Sequence, residues 1–214
     1  MQIYSIEAGP VMTRGYLVYD ENTREAAIID APPEGTNLYL NKIRDLELNI
    51  GAILLTHTHW DHSAEAPELK RKTGAPVFLH KSDEYRVISP DKHSIFELPF
   101  KLEPFKADNY LEAGQKLQLC SSECEILHTP GHTEGGVCIY FPKEKIVFTG
   151  DTLFNMSVGR VDLPGGDWNT LHNSIKEKLM KLPGDTNIYP GHGEPSTIDF
   201  EKKQNPFLNP DFLY

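Results

Sequence analysis

The sequence predicts an α+β protein with two β-sheets packed face to face and helices on their outer faces. Three features predict it. The β-rich stretches fall into two runs, each closed by helical patterns. No internal repeat of 20–50 residues is visible, and no linker divides the chain, so one domain spanning 1–214 is expected. Hydrophobic residues at 39% and charged residues at 24% describe an ordinary globular chain, long enough to bury a full core.

The elements follow in order. Stretches 3–7, 14–19 and 25–30 are short and β-rich, and Gly9-Pro10 and Asp20-Glu21-Asn22 punctuate them as hairpin turns. Over 36–48, Tyr39, Ile43 and Leu46 recur at i, i+4 and i+7, which predicts a helix with a core-facing stripe. The run 51–55, Gly-Ala-Ile-Leu-Leu, reads as a buried strand. A second helix is expected at 64–73, closed by Gly74, and a strand at 76–79. From Val87 to Asn109 no period emerges. Pro90, Pro99 and Pro104 are interspersed with Phe96, Phe100 and Phe105, the mark of a functional rim or a flexible segment. Strands resume at 116–119, 125–128, 137–141 and 145–148. Leu171, Ile175, Leu179 and Leu182 mark a helix over 168–182 with Asp167 as its N-cap. A strand at 187–189 and a helix at 198–204 complete the pattern.

Charge and cysteine content exclude several function classes. A net charge of −10 argues against non-specific nucleic-acid binding and against docking on anionic membranes. No apolar run approaches the ~20 residues of a membrane span, and the N-terminus lacks a signal-peptide pattern, so a cytoplasmic protein is expected. Cys120, Cys124 and Cys138 form no CxxC and are odd in number, against a disulfide framework. Cys138 reads as a small buried hydrophobe, while Cys120 and Cys124 read as idle thiols in a polar turn.

The densest chemical signal is Thr56-His57-Thr58-His59-Trp60-Asp61-His62, directly after the strand at 51–55. Three imidazoles and a carboxyl at a strand's C-terminal end are nitrogen and oxygen donors suited to Zn, Fe or Mn. Three more strand ends carry a donor at a glycine-marked turn: Pro130-Gly131-His132, Thr149-Gly150-Asp151 and Pro190-Gly191-His192. Glycine lets the backbone turn sharply and frees the next side chain to project. Singly each would be a solvated turn residue; together they make seven ligand candidates at four strand ends.

His-x-His-x-Asp-His followed in order by Gly-His, Gly-Asp and Gly-His resembles the metallo-β-lactamase superfamily over nearly the whole chain. The resemblance implies an αββα sandwich of two mixed β-sheets with helices on both outer faces. It also implies two divalent ions, most simply Zn, with Fe or Mn as alternatives. His57, His59 and His132 would hold one ion, Asp61, His62 and His192 the other, and Asp151 would bridge them. Gly159-Arg160-Val161-Asp162-Leu163-Pro164-Gly165-Gly166 and the tail from Glu201 to Leu208 are similar to the compact glyoxalase II-like hydrolases. Full-length glyoxalase II carries a C-terminal helical domain that this chain is expected to lack.

That likeness implies hydrolysis of a small-molecule thioester, such as a hydroxyacylglutathione, with no nucleic-acid or membrane partner. Paired cations acidify a shared water, polarise the carbonyl and stabilise the tetrahedral charge. A thiolate leaves without a dedicated acid, and Asp61 serves both as ligand and as the residue that orients the nucleophile. Arg160 is the candidate for a substrate carboxylate, or else a structural partner of Asp162 or a backbone carbonyl. A mononuclear-iron persulfide dioxygenase is the alternative, since such relatives share the His cluster and a Gly-Arg-x-Asp element. Lactone, β-lactam or other ester hydrolysis on the same fold also stays open. A closed structural metal domain is disfavoured, because such sites are usually Cys-rich. Of the remaining histidines, His80, His93, His128 and His172, His128 reads as a satisfied strand residue rather than as support for a ligand. Trp60 reads as packing rather than as a cleft wall.

Overall fold

The structure, a computed structural model, describes residues 1–93, 97–98 and 100–208. It divides into two compact units, Met1–Leu111 with Gln118–Ser122, and Glu112–Leu117 with the chain from Glu123 onward.

The first unit begins with β1 (Gln2–Ala8), β2 (Thr13–Tyr19) and β3 (Glu25–Ile29), an antiparallel meander. Asp20 shapes the second turn, its Oδ1 accepting from the N–H of Asn22 at 2.7 Å and of Thr23 at 3.1 Å. Helix α1 (Thr36–Asp45) then crosses to β4 (Asn49–Leu54), which lies parallel to β3. Tyr39, Ile43 and Leu46 pack on this unit's core, as the i, i+4, i+7 stripe requires. The helix stops at Asp45, short of the expected 48, because Glu47 turns left-handed (φ 53) and sends the buried Leu48 inward.

Beyond β4 a single-turn helix, α2 (Trp60–Ser63), precedes the helix expected at 64–73, which is found as α3 (Ala66–Thr73). Pro67 sits in the first turn of α3, where its missing N–H costs nothing, and Gly74 closes it at φ 75. Strand β5 (Val77–Leu79), helices α4 (Glu84–Ile88) and α5 (Pro90–His93), and β6 (Asn109–Tyr110) complete the unit. Its six strands run in the order β1-β2-β3-β4-β5-β6, antiparallel at the start and parallel from β3 on. The aperiodic stretch after Val87 is partly built in: Phe105 and Ala107 pack on the core, and the Phe105 N–H bonds the Val87 carbonyl at 2.9 Å. Phe96 and Pro99 lie outside the described residues.

The second sheet comprises β7 (Lys116–Leu119), β8 (Ser122–His128), β9 (Val137–Phe141), β10 (Ile146–Gly150), β13 (Asn187–Pro190) and β14 (Ser196–Thr197), in the order β14-β13-β10-β9-β8-β7. A small hairpin, β11 (Leu153–Phe154) with β12 (Ser157–Val158), follows β10. Strand β10 is antiparallel to β9 and parallel to β13, and β9 is antiparallel to β8. Strands β8, β10 and β13 therefore point the same way and end along one edge of the sheet. Helix α6 (Trp168–Glu177) places Leu171 and Ile175 in this unit's core. Its N-cap is Asp167, whose Oδ1 accepts the Thr170 N–H at 2.8 Å. The expected continuation to 182 becomes a 3₁₀ turn, Leu179–Lys181, and α7 (Ile198–Gln204) ends the described helices.

All three thiols are free and buried, Cys120 and Cys124 included, although a polar turn was expected there. Burial pushes Cys120 and Cys124 up to about 12 and Cys138 to about 11. Among the described residues no helix is long and apolar enough to cross a membrane.

Candidate metal centre

In the first unit, β4 runs through the fully buried Leu54 and Leu55 into Thr56 and His57. His59 stays extended (ψ 150) just before α2, and Asp61 and His62 fall in the helix's single turn. The extended-to-helical switch gathers all four donors. The His57 ring lies 4.9 Å edge-on from His59 and 4.2 Å from His62. Donor atoms of His57 and His59, of His57 and His62, and of Asp61 and His62 lie within 4.8 Å of each other. His62 Nε2 is 3.4 Å from Asp61 Oδ2.

Buried side chains hold this cluster from behind. Asp30, at the end of β3 in a left-handed conformation (φ 63), accepts from the Thr56 N–H at 2.7 Å and the Thr56 hydroxyl at 2.8 Å. Its Oδ2 also meets His62 Nδ1 at 2.8 Å, which turns the ring and leaves Nε2 on the donor side. The Thr13 hydroxyl donates to Asp61 Oδ2 at 2.9 Å. Thr58, between two ligand candidates, donates its N–H to Asp83 Oδ2 at 3.2 Å and its hydroxyl to the Asp83 carbonyl at 2.9 Å.

In the second unit the three same-way strands β8, β10 and β13 deliver His132, Asp151 and His192 to one place. Asp151 Oδ2 is 3.6 Å from His132 Nε2 and 3.5 Å from His192 Nε2. His132 Nδ1 faces the Arg160 carbonyl oxygen at 2.7 Å, which fixes that ring as Asp30 fixes His62. Two glycines make this possible. A Cβ on Gly131, at φ 129, would lie 2.2 Å from the Leu171 nitrogen, and one on Gly159 would lie 1.8 Å from the Asp151 carbonyl oxygen.

The first unit offers three imidazoles and a carboxyl, and the second offers two imidazoles and a carboxyl, nitrogen and oxygen donors that in each case suit borderline divalent ions. The spacings fit too. Two ligands held tetrahedrally about 2.05 Å from zinc stand roughly 3.3 Å apart, close to the 3.4–3.6 Å pairs found in each unit.

The metallo-β-lactamase superfamily model matches residues 8–192. The chain belongs to that superfamily. The hydroxyacylglutathione hydrolase GloC of Haemophilus influenzae is 40% identical over 90% of this chain and 91% of its own length. Among solved structures, the BLEG-1 B3 metallo-β-lactamase superposes with a TM-score of 0.90 at 33% identity, covering 97% of this chain and all of that one. TTHA1623, solved in a di-iron-bound form, gives 0.85 at 36% identity, with 96% and 100% coverage. The expected fold class is the one found, two mixed sheets with helices in the metallo-β-lactamase fold. The chain is a metallohydrolase of this superfamily, carrying His and Asp groups able to hold divalent ions.

Among the other residues singled out in the sequence, Arg160 points its fork at Asp162 through two bonds of 2.7 Å, and its carbonyl meets His132. His128 Nε2 lies 3.0 Å from the Glu134 carbonyl, as a satisfied strand histidine should. His80 caps the next turn, accepting the Ser82 N–H, and His172 stacks 5.6 Å from Trp168. Trp60 packs 5.9 Å from Phe100. The sequence reading missed Thr13, Asp30 and Asp83. Asp30 had a local signal, a lone carboxyl ending the apolar Ala26-Ala27-Ile28-Ile29, whereas Thr13 and Asp83 had none.

Proposed function

We propose that the protein is a di-metal thioesterase of the glyoxalase II type, acting on hydroxyacylglutathione or a similar small thioester. The likeness to GloC along almost the full length of both chains supports this reading best. His57, His59 and His132 would hold one ion, Asp61, His62 and His192 the second, and Asp151 would be shared. Bound divalent ions supply Lewis acidity and a water acidic enough to attack at neutral pH. Asp61, steadied by Thr13, would serve both as a ligand and as the residue that orients the attacking nucleophile. A thiolate departs with little need of a proton, so no further acid is required of the chain. Arg160 receives a substrate carboxylate. Its pair with Asp162 is exposed at 55% and 67%, so exchanging one carboxylate for another costs little. Zinc is the proposed ion, and residues 1–214 act as one cytoplasmic domain.

The test is elemental analysis of protein purified without added metal, run beside cleavage of S-lactoylglutathione. Close to two ions per chain and metal-dependent cleavage are expected, and Asp151→Ala should lose one or both ions. Full double occupancy in that variant rejects the shared-ligand role. An iron-loaded sample that consumes oxygen with glutathione persulfide and cleaves no thioester would make it a dioxygenase. Turnover of a β-lactam alone would place its substrate with that of BLEG-1.

A further inference from the structure

Buried behind the first-unit ligands is an ion pair that the proposed reaction does not use. Asp83 Oδ1 meets Arg86 Nη1 at 2.9 Å, with side chains only 0% and 7% exposed. Buried pairs of this kind are poor stabilisers, because desolvating both charges offsets their attraction, and apolar replacements are often neutral. What the pair does is better read from its other bonds. Asp83 grips Thr58 at two points, side chain to N–H and carbonyl to hydroxyl, across 25 positions of sequence. Thr58 is the residue between His57 and His59. Pinning both its polar groups fixes the dihedrals on either side of it, and those decide where the two imidazoles point. The Arg86 guanidinium, 4.6 Å over the Tyr85 ring, bonds Asp83 Oδ1, while Asp83 Oδ2 accepts from Thr58.

We infer that Asp83 and Arg86 are positioning residues of the metal centre, setting the approach of His57 and His59 through Thr58. The inference rests on the reading that these two histidines hold an ion. It distinguishes the pair from an ordinary structural salt bridge, which would act on folding alone.

The experiment compares wild type with Arg86→Met, Arg86→Lys, the double variant Asp83→Leu/Arg86→Met, and His59→Ala. Each protein is stripped of metal, its unfolding midpoint is recorded, and Zn²⁺ affinity is measured by competition with a chromophoric chelator. The visible spectrum after Co²⁺ loading reports ligand geometry. The double variant should be at least as stable without metal as Arg86→Met, because no lone charge stays buried. Its Zn²⁺ affinity should nevertheless fall about 10- to 100-fold, the usual loss when support behind a ligand is removed, and its Co²⁺ spectrum should shift. Wild-type affinity and spectrum in a folded double variant overturn the inference. Should that variant not fold, Arg86→Lys decides: weakened Zn²⁺ binding with an unchanged midpoint supports the role, and wild-type binding overturns it. Unchanged affinity in His59→Ala would instead reject the metal reading itself, and the inference with it.

Discussion

The two units prepare their candidate ligands by different physical means. In the first, side chains do the holding: Asp30 orients His62 and clamps Thr56, Thr13 holds Asp61, and Asp83 holds Thr58. In the second, the backbone does the holding. His132 leans on a carbonyl, while Gly159 lets the chain approach Asp151 closely and Gly131 lets it approach α6. His62 is fully buried, whereas the His192 side chain is 27% exposed. The first cluster is thus held by a polar network, whose weak point is an unsatisfied buried group. The second is held by close packing of main chain, whose weak point is a single added carbon.

The largest effect should come from the second mode. Gly159→Ala puts a carbon where the Asp151 carbonyl already lies, so one of the two segments must move. A loss of about 3 kcal/mol or more in stability is expected, at the upper end for overpacking, with collapse of metal content. Thermal unfolding and elemental analysis check it. A well-folded variant with normal metal content would break the contrast.

Asp30→Ala should cost somewhat less. It strands the Thr56 N–H, takes the acceptor from the Thr56 hydroxyl and frees the His62 ring, a loss of about 2–4 kcal/mol for buried groups that lose their partners. Asp30→Asn keeps the shape and an acceptor and should fall between. Denaturant unfolding of metal-free protein gives the ranking, and equal losses for Asn and Ala would mean that Asp30 acts through packing alone.

The smallest effect should follow from altering the Arg160 side chain. Its carbonyl serves His132 whatever the side chain is, so Arg160→Lys should leave metal content unchanged. Loss of the planar fork should raise KM for a glutathione-like thioester and not for an uncharged one. The Arg160 guanidinium holds the Asp162 carboxyl down at about 2 by hydrogen bonding. A depressed carboxyl contributes stability that is present above about pH 4 and lost as pH falls through 2. Both groups are solvent-exposed, so the midpoint difference between wild type and Asp162→Asn should be small above pH 4 and vanish near pH 2. A metal deficit in either variant would show that the second cluster, too, depends on side chains.

The sequence by itself determined the donors and their places. His57, His59, Asp61 and His62 are neighbours in one loop, and His132, Asp151 and His192 each follow a glycine at a strand end, so short-range pattern carries them. The apolar stripes of α1 and α6 are legible for the same reason, since periodicity is a local property. Only the tertiary structure decided what holds those donors. The bonds from Asp30 to His62, Thr13 to Asp61, Asp83 to Thr58 and the Arg160 carbonyl to His132 span 32, 48, 25 and 28 positions. No spacing rule links residues that far apart. Local pattern also stopped short at helix ends: α1 was overrun because Glu47 turns left-handed, a choice made by the burial of Leu48. It left Arg160 open between a substrate carboxylate and a structural partner such as Asp162, and it gave no sign that the Arg160 carbonyl faces His132. Donors are fixed by residue type, but their supports are fixed by which distant strands and helices meet, and that is a property of packing.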